Sequence, residues 1–483
     1  MINKRRNFLN RIILITAVIC FFAGINPVSA QKVYTLDEAI TTAIRNNNET
    51  KIAIMEVDKA HAAVREAFGY ALPSVELSGN FAHFLEKPKT PFPDFEAMLN
   101  NAVYGVLFRD SVLDFDQSKL LPMNTKLQSF ALANSYEAKA QVTQILFNSA
   151  VFRGIGASEI YLNASKELLQ SNVNRTVLNI RRAFYGVLLT KELLKIMNES
   201  LQNARDNLGN LKKMYEQGFA SEYDVLQVEV QVENLNPTVV DLENTLKGAK
   251  DGLKVLMGVP QSEDIDIAGE FTYTDEDLPE ENNTLKKALA DNLDLKSLDW
   301  KMQVDNAMID LDRSEYWPTI AAFGNYSYAG SSDNLNFQNY SSAMVGLTFS
   351  INLFQGNQTA SRVEKSTITY NQTREQLAML REATSAQVKS KILELQKVKS
   401  LIAAHDRTIK LAERTYSIAK TRFKEGTGTQ LEIKNADMEI RTAKTNRLQS
   451  VYSYIIAKSE LESLMGITES KYLNDAFGRI KED

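Results

Sequence analysis

The chain has 483 residues, with 55 Lys and Arg against 60 Asp and Glu, and a formal net charge of −5. This acidic balance disfavours nucleic acid as a partner, because phosphate backbones are bound by basic surfaces. The one cysteine, Cys20, lies within the first 30 residues, so the rest of the chain offers no disulfide and no cysteine metal site. The three histidines, His61, His83 and His405, are far apart in sequence, and no phosphate-binding loop or nucleophile constellation occurs. We therefore expect no cofactor, no metal site and no enzymatic reaction.

The first 30 residues have the layout of a secretory signal peptide. Basic residues precede a short apolar run from Ile12 to Gly24, and the small residues Val28-Ser29-Ala30 follow. The run is too short to span a bilayer, so we predict cleavage before Gln31, with an uncleaved anchor as the alternative. The residues before Cys20 are not the small pair that lipoprotein processing requires, so we do not expect a lipoprotein. Removing the four basic residues of this segment leaves 51 basic against 60 acidic residues, a net charge of −9.

The remaining chain is a tandem duplication of one unit, and such internal repeats indicate the architecture of a protein. Four landmarks recur in the same order: Pro73 and Pro318, Leu146-Phe147 and Leu353-Phe354, Tyr215-Glu216-Gln217-Gly218 and Phe423-Lys424-Glu425-Gly426, Leu256-Met257-Gly258 and Leu464-Met465-Gly466. Residues 259–283 hold nine acidic residues and no Lys or Arg. We therefore predict a signal peptide at 1–30, a first repeat at 31–258, an acidic linker at 259–283, a second repeat at 284–467 and a C-terminal tail at 468–483.

Each repeat contains two segments in which apolar and polar residues alternate. Alternation begins at Ser74, around Tyr136, at Thr319 and at Ser342, and each segment is about ten residues long. This is the length of a tilted membrane strand with one lipid face and one wet face. A soluble sheet with one buried face alternates in the same way. The signal peptide and the long helices described next favour the membrane.

Long helices follow the second strand of each repeat. The segment from Asn357 to Glu425 has no Gly and no Pro, and at ~1.5 Å per residue it forms roughly 100 Å of helix. Apolar residues from Val388 to Phe423 recur mostly at alternating steps of three and four, which predicts a seam against a second helix, Thr429 to Met465. In the first repeat we predict the helices at 157–217 and 222–257. There Gly186 should weaken the first helix, and Pro237 should kink or break the second.

Two shorter helices precede the strands. The loops between the strands, Leu85 to Met123 and Gly330 to Asn339, are expected to face the cell exterior, because the long helices attach at the opposite strand ends and fill the periplasm. Thr35 and Glu38 form a capping box that opens a helix from Leu36 to Asn46, and a second helix follows as far as about Tyr70. The segment from Leu85 to Met123 is expected to be an ordinary surface loop, with a cap over the outer mouth as the alternative.

Four strands are too few to close a membrane barrel, and open sheet edges in lipid leave backbone groups unpaired. Several chains must therefore share one barrel. The two tip segments, 215–226 and 423–433, together with the duplicated landmarks, resemble the TolC-like outer-membrane efflux protein family over essentially the whole mature chain. The resemblance implies an α+β fold in which a long antiparallel α-helical coiled-coil barrel joins a shared transmembrane β-barrel, with four strands per chain and twelve in a homotrimer. It also implies a periplasmic adaptor and an inner-membrane pump of RND or ABC type as partners, and outer-membrane lipid around the barrel.

The two tips between the long helices are the candidate functional site. Asp224 and Glu432 each lie six residues beyond a tip glycine, where an acid stabilises the start of a helix. The functional alternative is that three copies of both acids ring the periplasmic entrance and favour cations. Some relatives have a second acid three residues further on, where this chain has Asn435, so the constriction should be less acidic. The resemblance places the adaptor-docking surface at the residues of the turns: Gly218, Phe219, Ser221, Gly426, Thr427, Gly428 and Thr429.

The sequence therefore favours a passive duct from periplasm to exterior in a tripartite exporter, with efflux of small molecules or drugs as the first choice. Export of proteins by type I secretion is the alternative within the same class. A non-conducting periplasmic coiled-coil structural protein is the alternative outside it, because long helices alone do not require a channel.

Overall fold

The computed structural model of the protein describes residues 32–481. The predicted signal peptide and its cleavage site lie outside the described residues. The first half contains, in chain order, β1 (Lys32–Tyr34), α1 (Leu36–Asn46), α2 (Asn48–Gly69), β2 (Ser74–His83), β3 (Thr90–Pro93), α3 (Phe95–Arg109), β4 (Thr125–Gln128), β5 (Asn134–Asn148), α4 (Ser149–Glu216) and α5 (Glu222–Met257).

The second half repeats the order of long elements seen in the first. It contains β6 (Ile265–Ile267), α6 (Glu281–Asp291), α7 (Leu293–Arg313), β7 (Thr319–Ser332), β8 (Gln338–Ser350), α8 (Gln358–Lys424), α9 (Gln430–Leu464) and α10 (Ser470–Phe477). The helices α4 and α8 have 68 and 67 residues, which confirms the two long helices predicted from the sequence. Across residues 32–481, none of the helices combines the length and the apolar character needed to cross a lipid bilayer.

The chain divides into two compact units. The first unit contains residues 32–64, 157–308 and 365–481 and consists almost entirely of helices. Its largest core lies where α1 and α2 meet α4 and the end of α5, around fully buried side chains such as Ile40, Leu169, Phe184 and Met257. A second core joins α8 and α9 through buried residues at steps of three and four, Val388, Ile392, Leu395, Val398 and Ile402. The predicted seam of the second repeat is confirmed along this stretch.

The Leu-Met-Gly sequence that ends α5 and α9 packs against the joint between two shorter helices. Asn47, between α1 and α2, donates from Nδ2 to Leu256 O at 2.8 Å, and Asn292, between α6 and α7, donates to Leu464 O at 3.0 Å. Gly258 has φ of +68°, and a Cβ there would lie 2.5 Å from the Asn46 carbonyl. The glycine is therefore required both for the left-handed backbone and for the close approach of the joint.

The acidic linker is not merely a connection. Its strand β6 pairs in parallel with β1. Asp266 on β6 forms ion pairs with Lys191 and Lys250 at 3.1 and 3.0 Å. The stretch 271–278, called the strap below, then contacts α8 and α9 through three named contacts. Tyr273 packs edge-on against Tyr454 at 5.0 Å between ring centres, Lys399 Nζ lies 2.7 Å from Asp275 Oδ1, and Lys458 Nζ lies 2.6 Å from Glu276 Oε2.

The segment predicted as a tail contains the short helix α10, which packs on α1. Tyr472 is 3% exposed and donates from its hydroxyl to Asp37 Oδ1 at 2.6 Å. Arg45 at the end of α1 contacts Asp475 at 3.0 Å. The hydrogen bond that the Asp37 carboxylate accepts from Lys471, followed by that from Tyr472, holds the pKa of the Asp37 carboxyl below its usual value.

Pro237 does not end helix α5, so of the two effects predicted for this proline, a kink or a break, the break is wrong. The helix runs without interruption from Glu222 to Met257. A proline removes one hydrogen bond and costs about 3 kcal/mol in a helix interior. Pro237 lies on the exposed side of the helix, where water can form a hydrogen bond with the carbonyl that the proline leaves without a partner. On the other side, Val232, Leu235 and Val239 remain buried against α4. Helix α4 likewise continues through Gly186.

The second unit contains residues 65–156 and 309–364 and is built around an antiparallel sheet with the order β2-β5-β7-β8. The predicted strands are confirmed, but three of them are longer than ten residues, with 15, 14 and 13 residues in β5, β7 and β8. A register shift between Ile145 and Phe147 interrupts the pairing of β5 with β7. This irregularity lies at the strand-to-helix junction where α4 begins.

The register gives the sheet one apolar face and one polar face. One row across the four strands is Val75, Val142, Gly324 and Val345. The next row on the opposite face is Glu76, Gln141, Asn325 and Met344. The apolar side chains are exposed in the single chain, with Val75 at 76%, Leu77 at 81% and Val345 at 86%. An exposed apolar face of this kind needs an apolar environment outside the chain.

The prediction of an ordinary surface loop between Leu85 and Met123 is wrong, because this segment is largely structured. It contains strand β3 and the 15-residue helix α3. Strand β3 pairs with β4, which follows Met123. The insertion, defined here as residues 84–133, thus forms its own small hairpin with a helix between the strands.

Candidate functional site: the two helix tips

The first tip joins α4 to α5 and is shaped by one glycine and one capping residue. Gly218 has φ of +78°, and the backbone closes the helix with hydrogen bonds from Gly218 N to Tyr215 O at 2.9 Å and from Phe219 N to Met214 O at 2.8 Å. Left-handed glycines commonly end helices in this way. The Ser221 hydroxyl then accepts from Asp224 N at 3.1 Å and starts α5.

The Asp224 carboxylate is committed to this helix start. Its Oδ2 accepts from the Ser221 hydroxyl at 2.6 Å and from Ser221 N at 3.3 Å, which completes a capping box. The side chain is partly buried. The local, helix-stabilising role predicted for this acid is therefore visible in the geometry.

The second tip joins α8 to α9 and, like the first, has a left-handed glycine followed by a capping residue. Gly426 has φ of +75°, Gly426 N donates to Phe423 O at 3.0 Å, and Thr427 N donates to Arg422 O at 2.9 Å. Thr429 caps α9 by accepting from Glu432 N at 3.3 Å. Gly428 is packed tightly, since a Cβ there would meet Phe423 N at 3.0 Å.

Glu432 differs from Asp224 in its partner. Its Oε2 lies 3.4 Å from Arg422 Nη1, and Arg422 also donates from Nη2 to Thr427 O at 3.0 Å. Both side chains of the ion pair are about half exposed, so the pair adds little stability by itself. Arg422 nevertheless offsets the Glu432 charge within the tip.

The predicted constriction residues therefore lie on two separate helix starts within one chain. Asp224 is on α5, whereas Glu432 and Asn435 are on the first turns of α9, with Asn435 exposed. Among the predicted docking residues, Phe219 has 76% of its surface exposed. The ring of acids and the docking surface stay predictions.

Phe423 connects the two tips. Its ring packs on the cluster of Leu211, Val225 and Val228 from the first tip, and also on the cluster of Ala419, Ile433 and Ala436 from its own. In the sequence this residue is part of the repeated landmark and the last apolar residue of the predicted seam, but its contact with the first tip was not predicted.

A polar seam between α4 and α9 was missed by the sequence analysis. Asn207 Nδ2 donates to Gln430 Oε1 at 3.0 Å, and the Ser200 hydroxyl donates to Asp437 Oδ2 at 2.9 Å. These pairs are 223 and 237 residues apart in sequence, so no local pattern could have revealed them. Burial, followed by the nearby Asp437 charge, raises the pKa of the Tyr416 phenol beside this seam.

Close to the tip, the seam contains an unpaired polar group. Gln430 is 1% exposed, and within the described residues its Nε2 has no hydrogen-bond partner. A buried donor without a partner costs about 1–3 kcal/mol. The contact between α4 and α9 at the tip is therefore weaker than its burial suggests.

Comparison with known proteins decides the family. The sequence profile described as "Outer membrane efflux protein" matches residues 123–259 and 284–467, well over half of the chain. The chain belongs to the outer membrane efflux protein family. This membership confirms the resemblance predicted from the duplicated tips and junctions.

Relatives and solved structures agree with this assignment. The outer membrane protein TolC of Salmonella enteritidis is 22% identical over 360 residues, covering 72% of this chain and 73% of the relative. The alkaline protease secretion protein AprF of Pseudomonas aeruginosa is 20% identical over 339 residues, covering 70% of each chain. The Campylobacter jejuni CmeC outer membrane channel has a TM-score of 0.71 at 13% identity, covering 91% and 89% of the two chains. CusC has a TM-score of 0.68 at 16% identity, covering 89% and 91%.

The family confirms the predicted fold class and the broad function. The protein is a component of an outer-membrane exit duct for efflux or secretion, with long helices in two repeats and a four-stranded sheet in each chain. The coiled-coil alternative without conduction is thereby set aside.

Proposed function

We propose that three copies of this chain form one passive duct that carries small molecules or drugs from the periplasm to the exterior. The cargo is delivered by a periplasmic adaptor and an inner-membrane pump of RND or ABC type, and the duct catalyses no reaction. The leader is removed before Gln31 without lipid attachment at Cys20. Type I protein secretion is the second candidate, because the relative AprF is named for the secretion of an alkaline protease.

One observation carries the proposal of a shared assembly. The sheet ends at β2 on one side and β8 on the other, and among the described residues neither strand has a second neighbour in the sheet. Unpaired backbone groups cost several kcal/mol each in lipid. The apolar face supports a membrane setting, so β8 of one copy pairs with β2 of the next. Three copies then supply twelve strands, which exceeds the minimum for a membrane barrel.

The tips supply the periplasmic entrance of this assembly. Three copies of Asp224 and Glu432 ring the constriction and give it a preference for cations, with Asn435 adding no charge. The exposed turn residues, Phe219 foremost, form the docking surface for the adaptor. The support is the exposure of Phe219 and the weak seam between the hairpins beside it.

Pairing between copies is tested by disulfide trapping in isolated outer membranes. Ser78→Cys on β2 is combined in turn with cysteines at positions 340–346 on β8. We expect one register to give a covalent trimer under non-reducing conditions. The matched control is Ser327→Cys with Ser342→Cys, whose hydroxyl oxygens lie 2.9 Å apart within one chain, and which therefore yields a cross-linked monomer. If the control forms its cross-linked monomer but none of the β2–β8 cysteine pairs gives a trimer, the proposed sheet shared between copies is refuted.

A further inference from the structure

A cavity lies in the helical unit, where α4 of the first repeat meets α7 of the second. Its volume is about 480 Å³, and its lining comes from four helices, α2, α4, α7 and α8. Pockets that bind drug-sized molecules have volumes of about 300–1,000 Å³. The lining residues of α4 run from Tyr161 to Arg175, whereas the tip of this hairpin is at Gly218, so the cavity is separate from the tips.

The four helices lie side by side in the order α2, α4, α7, α8. Three contacts join neighbours in this order, at 3.3, 3.5 and 2.9 Å between their polar atoms: Thr50 with Thr176, Arg175 with Asp294, and Lys301 with Thr373. A row of four helices lines one shared cavity where the row curves toward it. The cavity therefore lies on the concave side of the row.

Helix α4 turns a different side to the core of the unit. Leu169, Val173, Ile180 and Phe184 pack in that core together with side chains of α1 and β6. Leu168 points about 100° away from Leu169, lines the cavity and has 45% of its surface exposed. When three copies close the ring of the proposed function, the concave side of every row faces the lumen. The cavity then belongs to the inner wall of the duct, and this step rests on the proposed function.

The lining of the cavity combines exposed apolar side chains with charges that are already paired. Its larger apolar residues come from three helices: Leu168, Leu298, Val304 and Leu380. Its charged residues all have ion-pair partners in the same chain, at 2.9, 3.5 and 3.0 Å: Glu56 with Lys59, Arg175 with Asp294, and Lys301 with Asp305. A charged solute would have to displace one of these pairs. An uncharged solute needs only to remove apolar surface from water, which is favourable without any charged partner.

We propose that this cavity binds uncharged, apolar molecules of drug size as they pass along the inner wall of the duct. Leu168 on α4 and Leu298 on α7 line the cavity from neighbouring helices, so a bound molecule contacts both repeats of the chain. The inference deepens the proposed function, since it gives the chemical class of small molecule that the wall retains.

The test measures protection of a thiol in the mature chain, residues 31–483, which contains no cysteine. In the purified assembly, Leu168→Cys is reacted with a water-soluble, positively charged thiol reagent at rising concentrations of naphthol, an uncharged aromatic probe. We expect naphthol to slow this reaction severalfold and to reach saturation. The matched control is Leu113→Cys in the insertion, because Leu113 is 48% exposed and lies outside the cavity. Its reaction rate should not change.

Two further variants show whether the protection depends on the cavity. Leu298→Gln, combined with Leu168→Cys, makes the neighbouring helix polar and should reduce the protection severalfold. Val304→Thr keeps the shape of the side chain and should reduce the protection in the same direction with less disturbance of the fold. Protection that both variants leave unchanged would overturn the proposal, because naphthol would then be bound elsewhere.

Single-channel conductance tests the position of the cavity in the lumen. A bulky thiol reagent attached at Leu168→Cys should lower the conductance. The same reagent at Lys166→Cys, which lies 200° around α4 at 100° per residue and is partly exposed, should leave it unchanged.

Three results overturn the binding site: no protection at position 168, equal protection at positions 168 and 113, or a conductance that modification at position 168 does not change. Conductance of the cysteine-free chain separates these failures from a failure of the proposed function. If this chain conducts, the duct stands and only the binding site is rejected. If it does not conduct, the duct and the site in its wall are both rejected.

Discussion

Asn207 on α4 and Gln430 on α9 join the two long hairpins of one chain through a 3.0 Å hydrogen bond at the tip. The bond uses the Gln430 carbonyl and leaves its buried amide nitrogen without a partner. Ser200 and Asp437 form a second link further from the tip. Further from the tip, Arg181 and Arg182 of α4 form ion pairs with Glu462 and Glu460 of α9. Because the end of the seam at the tip has weaker links, and one of them is incompletely satisfied, we expect this end of the seam to open when the entrance opens.

Weakening the seam should therefore favour the open entrance. Ser200→Ala removes the hydroxyl donor to the Asp437 carboxylate, a bond worth about 1–2 kcal/mol. We expect the open probability of single channels to rise about tenfold in a planar bilayer, since 1.4 kcal/mol corresponds to a factor of ten. Asn236→Ala is the control, because the bond from Arg205 to Asn236, at 2.8 Å, lies within the first hairpin. An equal rise in the control would show that general loosening, and not the seam, governs opening.

The acids at the tips can be separated into structural and electrostatic roles. Asp224→Ala with Glu432→Ala should raise or alter the resting conductance and lower the preference for cations, read from the reversal potential in a salt gradient. Ser221→Ala removes a helix cap and should cost about 1 kcal/mol of stability without changing that preference. If the reversal potential of the double variant equals that of the unchanged protein, both acids act only at their helix starts.

The left-handed glycines should differ in their tolerance of a side chain. At Gly218 a Cβ would meet nothing within 4 Å, so Gly218→Ala should cost about 1–2 kcal/mol for its left-handed backbone conformation alone. At Gly258 the same change drives a Cβ into the Asn46 carbonyl and should cost clearly more, with loss of the Asn47 contact to Leu256. Chemical denaturation of the two variants in parallel measures the difference. Equal losses in the free energy of unfolding would mean that the backbone between α1 and α2 shifts at no cost to make room for the Cβ at position 258.

These glycines illustrate which structural features can be predicted from the sequence alone. A cap or a left-handed glycine acts over a few residues, so the tip turns and the start of α5 at Glu222 were predictable from Gly218 and Ser221. Alternation of period two likewise placed the four strands, although not their full length. The duplicated landmarks alone carry the resemblance to the family.

The remaining features depend on contacts between distant segments. Gln430 follows a capping residue and looks like an ordinary solvent-exposed helix start, but the contact with Asn207 buries it. Helix α3 escaped prediction because it is apolar on both sides and shows no period of 3.6. Pro237 was judged by its local effect, whereas packing of the opposite helix face holds α5 together. The acidic linker was identified by charge, but its partners on α8 and α9 were not.

The strap should depend on pH in a defined direction. The hydrogen bond from Lys399, followed by that from Tyr273, lowers the pKa of the Asp275 carboxyl. Its stabilising contribution is therefore complete above the unfolded value of about 3.9 and is lost as the pH falls below it. Burial, with the bond to Asp275, raises the pKa of Tyr273 to about 12. That contribution is complete below about pH 10 and is lost as the pH rises toward 12.

Thermal unfolding at pH 7 and pH 3 tests the acid side of this dependence. Asp275→Asn should lower the melting temperature at pH 7 and reduce the further loss at pH 3. Glu270→Gln, an exposed acid of the same linker, should behave as the unchanged chain. If Asp275→Asn and the unchanged chain lose the same amount between the two pH values, the strap does not carry this acid sensitivity.

The central claim is that three copies of this chain form a conducting duct, and one measurement tests it most directly. The mature protein is extracted in detergent, its protein mass is determined by light scattering, and the same sample is added to a planar bilayer. The account predicts a mass of three chains and small, cation-preferring current steps. A single water-soluble chain that produces no current in the bilayer would contradict it.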